Sequence, residues 1–251
     1  MQSGLDRERQ RLQGLRGSLA ARGFNILLPL SQPVFDEACA PVAPAPRLRS
    51  LHPTANGALI VGSGGRVLFE HFRESPERRD GRASPLDRFT RAAIGAAAAE
   101  ALDGIAGGYR LLFPFTDSVP ALPFQRLGRA AGLGGPGPLG LQIHPEFGPW
   151  WAYRALIALA LSDDVWSAAA PGVALGDGCT GCAAPCVAAC PAGAVRLAGF
   201  SVADCHARRL ASPDCRLSCA ARIRCIRGPE HRYTDDQLAF HMAASMPVAR
   251  P

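Results

Sequence analysis

Apolar residues recur along this chain at the spacings of helices and strands in turn. Between residues 5 and 22, leucines fall near helical spacing with charges between them, which predicts an amphipathic helix ending at Gly23. Compact apolar runs bounded by turn residues predict strands over 24–30, 57–62, 109–115, 141–143 and 150–161. The pattern therefore predicts short strands separated by helices and long connections.

Further helices are indicated by their start signals. Ser84–Pro85 predicts a helix running to about Asp103, with serine as the N-cap and proline in the first position. A brief helix is predicted over 34–39, and a terminal helix over 233–244 has acidic residues in its first turn, where negative charge is favourable. The heavily charged run 70–82 predicts a solvated segment.

The strongest chemical signal is a cluster of cysteines. The first four read C-x2-C-x3-C-x3-C-P, one residue longer than the ferredoxin run C-x2-C-x2-C-x3-C-P, whose fourth cysteine ligates a second cluster. Eight thiolates make two sets of four, as two [4Fe–4S] clusters require. The cysteines concerned are Cys179, Cys182, Cys186, Cys190, Cys205, Cys215, Cys219 and Cys225.

Two other uses of these thiols compete with iron–sulfur binding. Zinc favours paired C-x2-C knuckles, and only Cys179 and Cys182 form such a pair. Disulfides require an oxidising compartment, and the N-terminus does not resemble a signal peptide. We therefore favour clusters and expect a cytoplasmic protein. Cys39 stands apart from the others and predicts a buried structural thiol.

The composition argues against a disordered chain, a membrane-spanning protein and a phosphate-binding basic stripe. Hydrophobic residues make up 48% of the 251 residues, enough for a sizeable core. No apolar run approaches the roughly 20 residues of a membrane helix, so no membrane partner is expected. The net charge is +6, but the chain contains arginine and no lysine, which indicates a coding bias more than a phosphate-binding stripe.

Two families share motifs with this chain. The runs LGLQIHPEFGPWWAYRALIALAL (139–161) and GPEHRYTDDQLAFH (228–241) resemble cobalamin-processing proteins of the cblC type, which remove the upper ligand of cobalamin. The cysteine-rich stretch and TDSVPALPFQRLGRAAGLG (116–134) are similar to epoxyqueuosine reductase, which uses cobalamin and two [4Fe–4S] clusters on a modified tRNA base. The N-terminal run 15–35 is a weaker match to the cblC type.

The resemblance implies a particular division of the thiols. One cluster would take Cys179, Cys182, Cys186 and Cys225, and the other would take Cys190, Cys205, Cys215 and Cys219. The final cysteines here read C-x3-C-x5-C, whereas the reductases have C-x2-C-x3-C-P. The ligand roles of the last three cysteines therefore depend most on the resemblance.

The resemblance also implies cobalamin-site residues. Asp117 matches the reductases' general acid, which a nonpolar cavity would keep protonated, although an aspartate before Pro120 can simply cap a turn. Arg154 matches an arginine at the cblC-type cobalamin and glutathione site, with an ion pair to Glu146 as the structural alternative. Gly134 closes the matching AGLG motif.

Two further residues, His144 and Trp151, are candidates for the cobalamin site. His144 is a candidate cobalt ligand, because imidazole binds cobalt well, but a histidine before proline at a strand end more often completes a turn. Trp151 is a candidate for flanking the corrin ring, although large residues on a strand more often belong to the core.

We therefore expect an α/β (α+β) fold of the nitroreductase-like kind with a ferredoxin-like module. The predicted parts are a cobalamin-binding domain over 1–170, a two-cluster module over 171–227, and a C-terminal helix over 228–251 packing back on the first domain. The predicted function is electron transfer from two clusters to cobalamin, for reductive removal of its upper ligand. An external one-electron donor, such as a flavodoxin or ferredoxin reductase, would supply the electrons.

Two further functions remain open at this point. One is an epoxyqueuosine-type tRNA reductase, which Asp117 and the cysteines favour and the short chain disfavours, so tRNA is a possible but not favoured partner. The other is a ferredoxin-like electron carrier without cobalamin, which the cysteines alone would satisfy.

Overall fold

A computed structural model describes residues 2–116, 121–168 and 178–246. Contacts divide the chain into two compact units, one formed by Met1–Gly132 with Ala152–Ala174 and the other by Leu133–Trp151 with Leu175–Pro251. The second unit thus joins residues 133–151 to the cysteine-rich segment. The division expected from the sequence, which gives each part a cofactor, stays a prediction.

The secondary structure mixes helices and strands. The helices are α1 Gln2–Ala20, α2 Gln32–Cys39, α3 Leu48–Leu51, α4 Val67–Glu74, α5 Pro76–Arg79, α6 Pro85–Leu102, α7 Phe124–Ala130, α8 Asp163–Ala168, α9 Pro185–Ala188, α10 Val202–Ala211, α11 Pro213–Leu217, α12 Ala220–Ile223 and α13 Asp235–Ala244, with a 3-10 turn at Pro229–His231. The strands are β1 Ile26–Ser31, β2 Gly57–Gly64, β3 Tyr109–Leu112, β4 Gly135–Pro136, β5 Gln142–Ile143, β6 Trp151–Leu159, β7 Val195–Arg196 and β8 Gly199–Phe200.

A four-stranded sheet in the order β1-β2-β6-β3 forms the centre of the first unit. β1 and β2 are antiparallel, with Ile26 opposite Gly62, and β3 and β6 are antiparallel, with Tyr109 opposite Leu159. Every residue of β2 is buried, which explains why its sequence is a continuous apolar run rather than an alternating one. α1 packs along α6.

The charged segment 70–82, predicted to be solvated, begins inside the helix α4. In α4, Leu68, Phe69 and Phe72 are buried while Glu70 and Arg73 are exposed, so the charges occupy one face of an amphipathic helix. The prediction of a solvated segment is confirmed for most of 70–82, where only Phe72 and Ser75 are buried, but the helix was not predicted.

Several boundaries also differ from the sequence predictions. Ser84 has a left-handed backbone (φ 50°) and makes no side-chain cap, so the start of α6 depends on Pro85 rather than on the predicted serine cap. β3 ends at Leu112, before the predicted end at Phe115. At α13 the cap is Thr234, whose hydroxyl accepts from the Gln237 N–H at 3.4 Å.

The second unit is built from two short hairpins and small apolar clusters. β4 pairs with β5 and β7 pairs with β8, both antiparallel. One cluster contains Leu139, Cys186, Val195, Ala221 and Cys225, so two of the cysteines lie in the core of this unit. A second cluster forms around Trp150, Tyr233 and Leu238, and it holds α13 within the unit. In the described residues, no helix is both long and apolar enough to cross a membrane.

Arg222 joins the parts of the second cluster. Its guanidinium lies 4.8 Å from the centre of the Trp150 ring and 4.7 Å from that of Tyr233, and it donates to the Pro149 carbonyl at 2.5 Å. Cation–π contacts of this kind strengthen when water is excluded. Arg222 therefore fixes α12, which lies between Cys219 and Cys225, to the 149–151 segment and to the base of α13.

Candidate metal centre and polar site

The eight clustered thiols fall into two sets whose members influence one another electrostatically. Burial raises the pKa values of Cys179, Cys186 and Cys225, and the negative charges of other cysteines add to the effect. Each influence stays within one set, namely Cys179, Cys182, Cys186 and Cys225. This set joins the first loop to the last cysteine of the segment.

The four cysteines of the second set likewise act electrostatically on one another. Burial raises the pKa values of Cys205 and Cys219, and the charges of Cys190 and Cys215 raise both further, with Cys219 also acting on Cys205. Cys190 thus groups electrostatically with Cys205, Cys215 and Cys219 rather than with the other cysteines of the first loop. The two sets coincide with the crossed division that the family resemblance implies, while the ligand roles stay a prediction.

Local structure explains how the chain reaches this arrangement. Cys186 lies in α9, which follows a left-handed residue, Ala184 (φ 51°), and packs against α12. Cys219 is the N-cap residue of α12 and Cys225 follows its end, so a single short helix separates members of different sets. α12 thereby directs one cysteine to each set.

Backbone N–H groups point at several sulfur atoms. The Ala184 N–H donates to Cys182 Sγ at 3.3 Å. Backbone N–H groups also bond Cys186, Cys219 and Cys225, and there they lower the pKa against the larger opposite effect of burial. Hydrogen bonds to sulfur favour the thiolate and are one of the factors that set the reduction potential of a bound cluster.

The donor chemistry fits a group held by four thiolates. All nine cysteines are free thiols. As the described residues stand, no group of three or more His, Cys, Asp or Glu side chains is arranged to hold a metal ion. The fit therefore depends on the identity and number of the donors: each set supplies four thiols and backbone N–H groups that stabilise their charge. Cys39 is buried elsewhere, and burial together with Asp36 raises its pKa to about 11.

The first unit contains a separate polar site around Arg154. Its Nε donates to the hydroxyl of Ser63, a residue 3% exposed, at 2.8 Å. Arg154 on β6 also acts on Asp87 in the first turn of α6: burial raises the pKa of Asp87, and the charges of Arg154 and Arg91 oppose the rise. A half-buried carboxyl between two arginines can hold or release a proton in response to a ligand.

Arg91 connects this polar site to the strand end that precedes Asp117. Its guanidinium lies 4.7 Å from the ring centre of Phe113 and 5.6 Å from that of Phe115. Asp117, the predicted acid, lies outside the described residues. Its role stays a prediction, and Asp87 is the carboxyl that the described part of the chain brings to Arg154.

His144 completes a turn within the second unit. Its Nδ1 accepts from the backbone N–H groups of Glu146 at 3.1 Å and Phe147 at 3.2 Å, so the neutral ring carries its proton on Nε2. Burial, with a smaller effect of His231, lowers the pKa of His144 to about 4. A metal ion bound by His144 would therefore have to approach Nε2, which holds the proton in this tautomer.

This arrangement predicts a pH-dependent stability. Because the folded-state pKa of His144 is about 4, below the usual 6.5, its contribution is complete above pH 6.5 and is lost as the pH falls towards 4. Between pH 7.5 and 5 we expect a loss of about 1 to 2 kcal/mol that His144→Asn abolishes, because the asparagine oxygen can accept the same N–H groups without gaining a proton. Urea unfolding of both proteins at the two pH values measures this, and parallel losses would contradict it.

Trp151 and Gly134 have structural roles in the second unit. Trp151 is buried, and its Nε1 donates to the Gln142 carbonyl at 2.9 Å. Gly134 has φ +88°, and a Cβ there would lie 1.9 Å from the carbonyl oxygen of Ile143. Both residues shape the β4–β5 hairpin, so any contact with a cofactor, which stays a prediction, would be additional to these roles.

The sequence did not reveal two residues that organise these sites. Asp87 follows a Ser–Pro helix start, where an acidic residue ordinarily favours the helix dipole, and nothing in its spacing indicates Arg154 as a neighbour. Arg222 is one of several arginines in the cysteine-rich segment, and nothing in its spacing indicates Trp150 or Tyr233 as its partners. Arg154 was identified from the sequence, but its partner Ser63 was not.

The fold places the chain among mixed α/β proteins with the nitroreductase-like fold of CblC. It is similar to a C. elegans B12-trafficking protein CblC, a human MMACHC homologue, at 13% identity and TM-score 0.59, covering 94% of this chain and 92% of that one. It is also similar to epoxyqueuosine reductase in complex with a tRNA-Tyr epoxyqueuosine-modified stem loop, at 12% identity and TM-score 0.59. The match covers 92% of this chain and 69% of that one.

A further similarity is to epoxyqueuosine reductase from Bacillus subtilis, at 14% identity and TM-score 0.52, covering 97% of this chain and 68% of that one. No protein-family model matches the sequence, and no curated protein matches it. At these identities the likeness defines the fold, which is the one expected from the two resemblances.

Proposed function

We propose that this protein is an iron–sulfur, cobalamin-binding reductase that passes single electrons to cobalamin for reductive removal of its upper ligand. The observation that carries the proposal is the division of eight thiols into two sets of four on a fold shared with CblC and epoxyqueuosine reductase. Neither an isolated electron carrier nor a zinc-binding protein requires both features.

The chain's thiols would hold the clusters. Cys179, Cys182, Cys186 and Cys225 would hold one, and Cys190, Cys205, Cys215 and Cys219 the other. When bound, clusters of this class take up and release single electrons, and cobalamin supplies a reducible cobalt. The backbone N–H groups at Cys182, Cys186, Cys219 and Cys225 stabilise negative charge at sulfur and so adjust the electron affinity of the site.

The polar site of the first unit would serve cobalamin or its leaving group. Arg154, held by Ser63, presents a fixed positive charge that can bind a phosphate or amide oxygen. The charge of Arg154 acts on Asp87, and burial raises the pKa of this carboxyl, so Asp87 takes up a proton more readily than an exposed aspartate does. Of the candidate cobalamin residues, Arg154 therefore has the side-chain chemistry that best suits the ligand.

The test is anaerobic reconstitution with iron and sulfide, followed by spectra with and without cob(II)alamin. We expect about eight iron atoms per chain, a broad iron–sulfur band, and a corrin shift on adding cobalamin. Arg154→Ala should weaken cobalamin binding about tenfold, the loss of one charge-assisted contact, without changing the iron content. Arg110→Ala removes an arginine from the same sheet as a control.

Each negative result has a distinct meaning. Zinc, or no iron, would refute the proposal entirely. Iron without any corrin shift would leave a ferredoxin-like electron carrier. Equal weakening by Arg110→Ala and Arg154→Ala would remove Arg154 from the cobalamin site.

A second candidate is an epoxyqueuosine-type tRNA reductase. It is favoured by the fold shared with epoxyqueuosine reductase over 92% of this chain, together with the two thiol sets. Deleting the gene and measuring queuosine and epoxyqueuosine in bulk tRNA tests it. Accumulation of epoxyqueuosine would establish this function in place of cobalamin processing, and unchanged tRNA would exclude it.

A further inference from the structure

Large aliphatic side chains are exposed in the segment that carries three cysteines of the second thiol set, and one of them, Ile226, follows Cys225 of the first set. Among the described residues, five of the seven exposed large hydrophobic side chains lie between 197 and 226. They are Leu197, Val202, Leu210, Leu217 and Ile226, with exposed fractions of 77%, 55%, 47%, 54% and 56%. Scattered single exposures need no explanation, but a concentration of them in one short segment indicates an interaction surface.

These side chains adjoin the thiols in the chain. Val202 and Leu210 are on α10 with Cys205. Leu217 lies between Cys215 and Cys219, and the three cysteines just named belong to the second set. A partner docked on these side chains would therefore lie next to the group held by that set.

The same segment carries a strong positive charge. Residues 196–227 contain seven arginines and two aspartates. Asp204 pairs with Arg196 at 2.6 Å, and within the described part of the chain no carboxylate forms an ion pair with the exposed Arg208, Arg216 or Arg224. Arg216 donates instead to the carbonyls of Arg209 and Leu210, which fixes its position and leaves its charge uncompensated.

We propose that the exposed side chains of 197–226, here named the 197–226 surface, form the docking site of an acidic one-electron donor protein. The proposal rests on the proposed function and adds the point at which electrons enter, the second thiol set. One electron would leave the donor's reduced centre and one would be gained by the group that Cys190, Cys205, Cys215 and Cys219 would hold. No bond is made or broken and no proton is required.

The composition favours a protein over a nucleic acid. Complementary charge steers an acidic partner to the surface, and aliphatic side chains bury against it once it has docked. Single-stranded RNA is bound by aromatic platforms on which bases stack, whereas the exposed large hydrophobic residues of the 197–226 surface are leucine, valine and isoleucine.

The experiment compares two reductants on the reconstituted full chain. Stopped-flow absorbance follows reduction by flavodoxin hydroquinone, an acidic protein donor, and separately by dithionite, a small molecule that needs no docking. We expect Arg208→Glu combined with Arg224→Glu to slow reduction by flavodoxin about tenfold or more and to weaken its dependence on salt. Leu210→Ser should slow it without altering the salt dependence. Reduction by dithionite should be unchanged in all variants.

Arg126→Glu combined with Arg129→Glu is the matched control, because it makes the same charge change on two exposed arginines of α7. Equal slowing by the control pair, or no slowing by the 208/224 pair, overturns the proposal. If the 208/224 pair instead loses affinity for a tRNA stem loop while its flavodoxin rate is unchanged, the surface binds RNA. A wild-type chain that takes up no iron defeats the proposed function, a result distinct from a failed docking site.

Discussion

Replacing Cys179 and Cys225 together by serine should remove half of the bound iron, whereas replacing Cys179 and Cys190 together should remove all of it. The first pair belongs to one thiol set, so the second loss adds nothing to the first. The second pair draws one thiol from each set, so both clusters lose a ligand. Effects within a unit that acts together are not additive, whereas independent units add.

A division in chain order predicts the reverse. If Cys179, Cys182, Cys186 and Cys190 held one cluster, the 179/190 pair would remove half of the iron and the 179/225 pair all of it. Iron and sulfide assays after anaerobic reconstitution distinguish the two patterns, with electron paramagnetic resonance of the reduced protein counting the clusters left. Cys39→Ser is the control, because that thiol is buried within the first unit and belongs to neither set, so the iron content should be unchanged.

Gly134→Ala should destabilise the protein by more than about 3 kcal/mol or prevent its folding. The methyl group would lie 1.9 Å from the Ile143 carbonyl oxygen, a backbone atom that cannot move without breaking the β4–β5 pairing. The same residue has φ +88°, which disfavours any side chain. Gln142, whose side-chain amide donates to the Gly134 carbonyl at 2.9 Å, would lose its partner if the hairpin shifted.

Gly108→Ala separates the cost of the close contact with Ile143 from the cost of placing a side chain at a positive φ. Gly108 also has a positive φ, +70°, but nothing lies within 4 Å of the place that a methyl group would occupy, so only the backbone preference is lost, at a cost of about 1 kcal/mol. Urea unfolding of both variants gives the comparison. Similar losses for the two glycines would mean that the close approach of Ile143 does not limit the hairpin.

The sequence predicted those features that local patterns encode. The apolar run at 57–62 became β2, and the family motifs led to the correct fold. The cysteine spacing sets Cys190 apart from the first loop, and its charge acts on Cys205 and Cys219 in the folded chain. The sequence also predicted that Arg154, a charged residue in an apolar strand, requires a polar partner, which Ser63 provides, whereas its role in binding cobalamin stays a prediction.

The features it missed depend on contacts between distant residues. Ser63 and Asp87 reach Arg154 only through strand pairing and helix packing, which single-sequence patterns do not encode. The sequence also did not indicate that Gly134 is required by the neighbouring carbonyl oxygen of Ile143, a structural role that leaves its predicted cofactor contact untested. The charges of 70–82 predicted an exposed segment correctly for most of its residues, but they gave no sign of the helix α4 or of the buried side chain of Phe72.

The Arg222 guanidinium has a consequence for how the cysteine-rich segment keeps its order. By stacking on Trp150 and Tyr233 it makes α12, which spans only Ala220–Ile223, dependent on a distant residue before it and on a nearer one after it. A helix this short has little intrinsic stability. Damage to the aromatic stack would accordingly loosen Cys219 and Cys225, one member of each thiol set, at once.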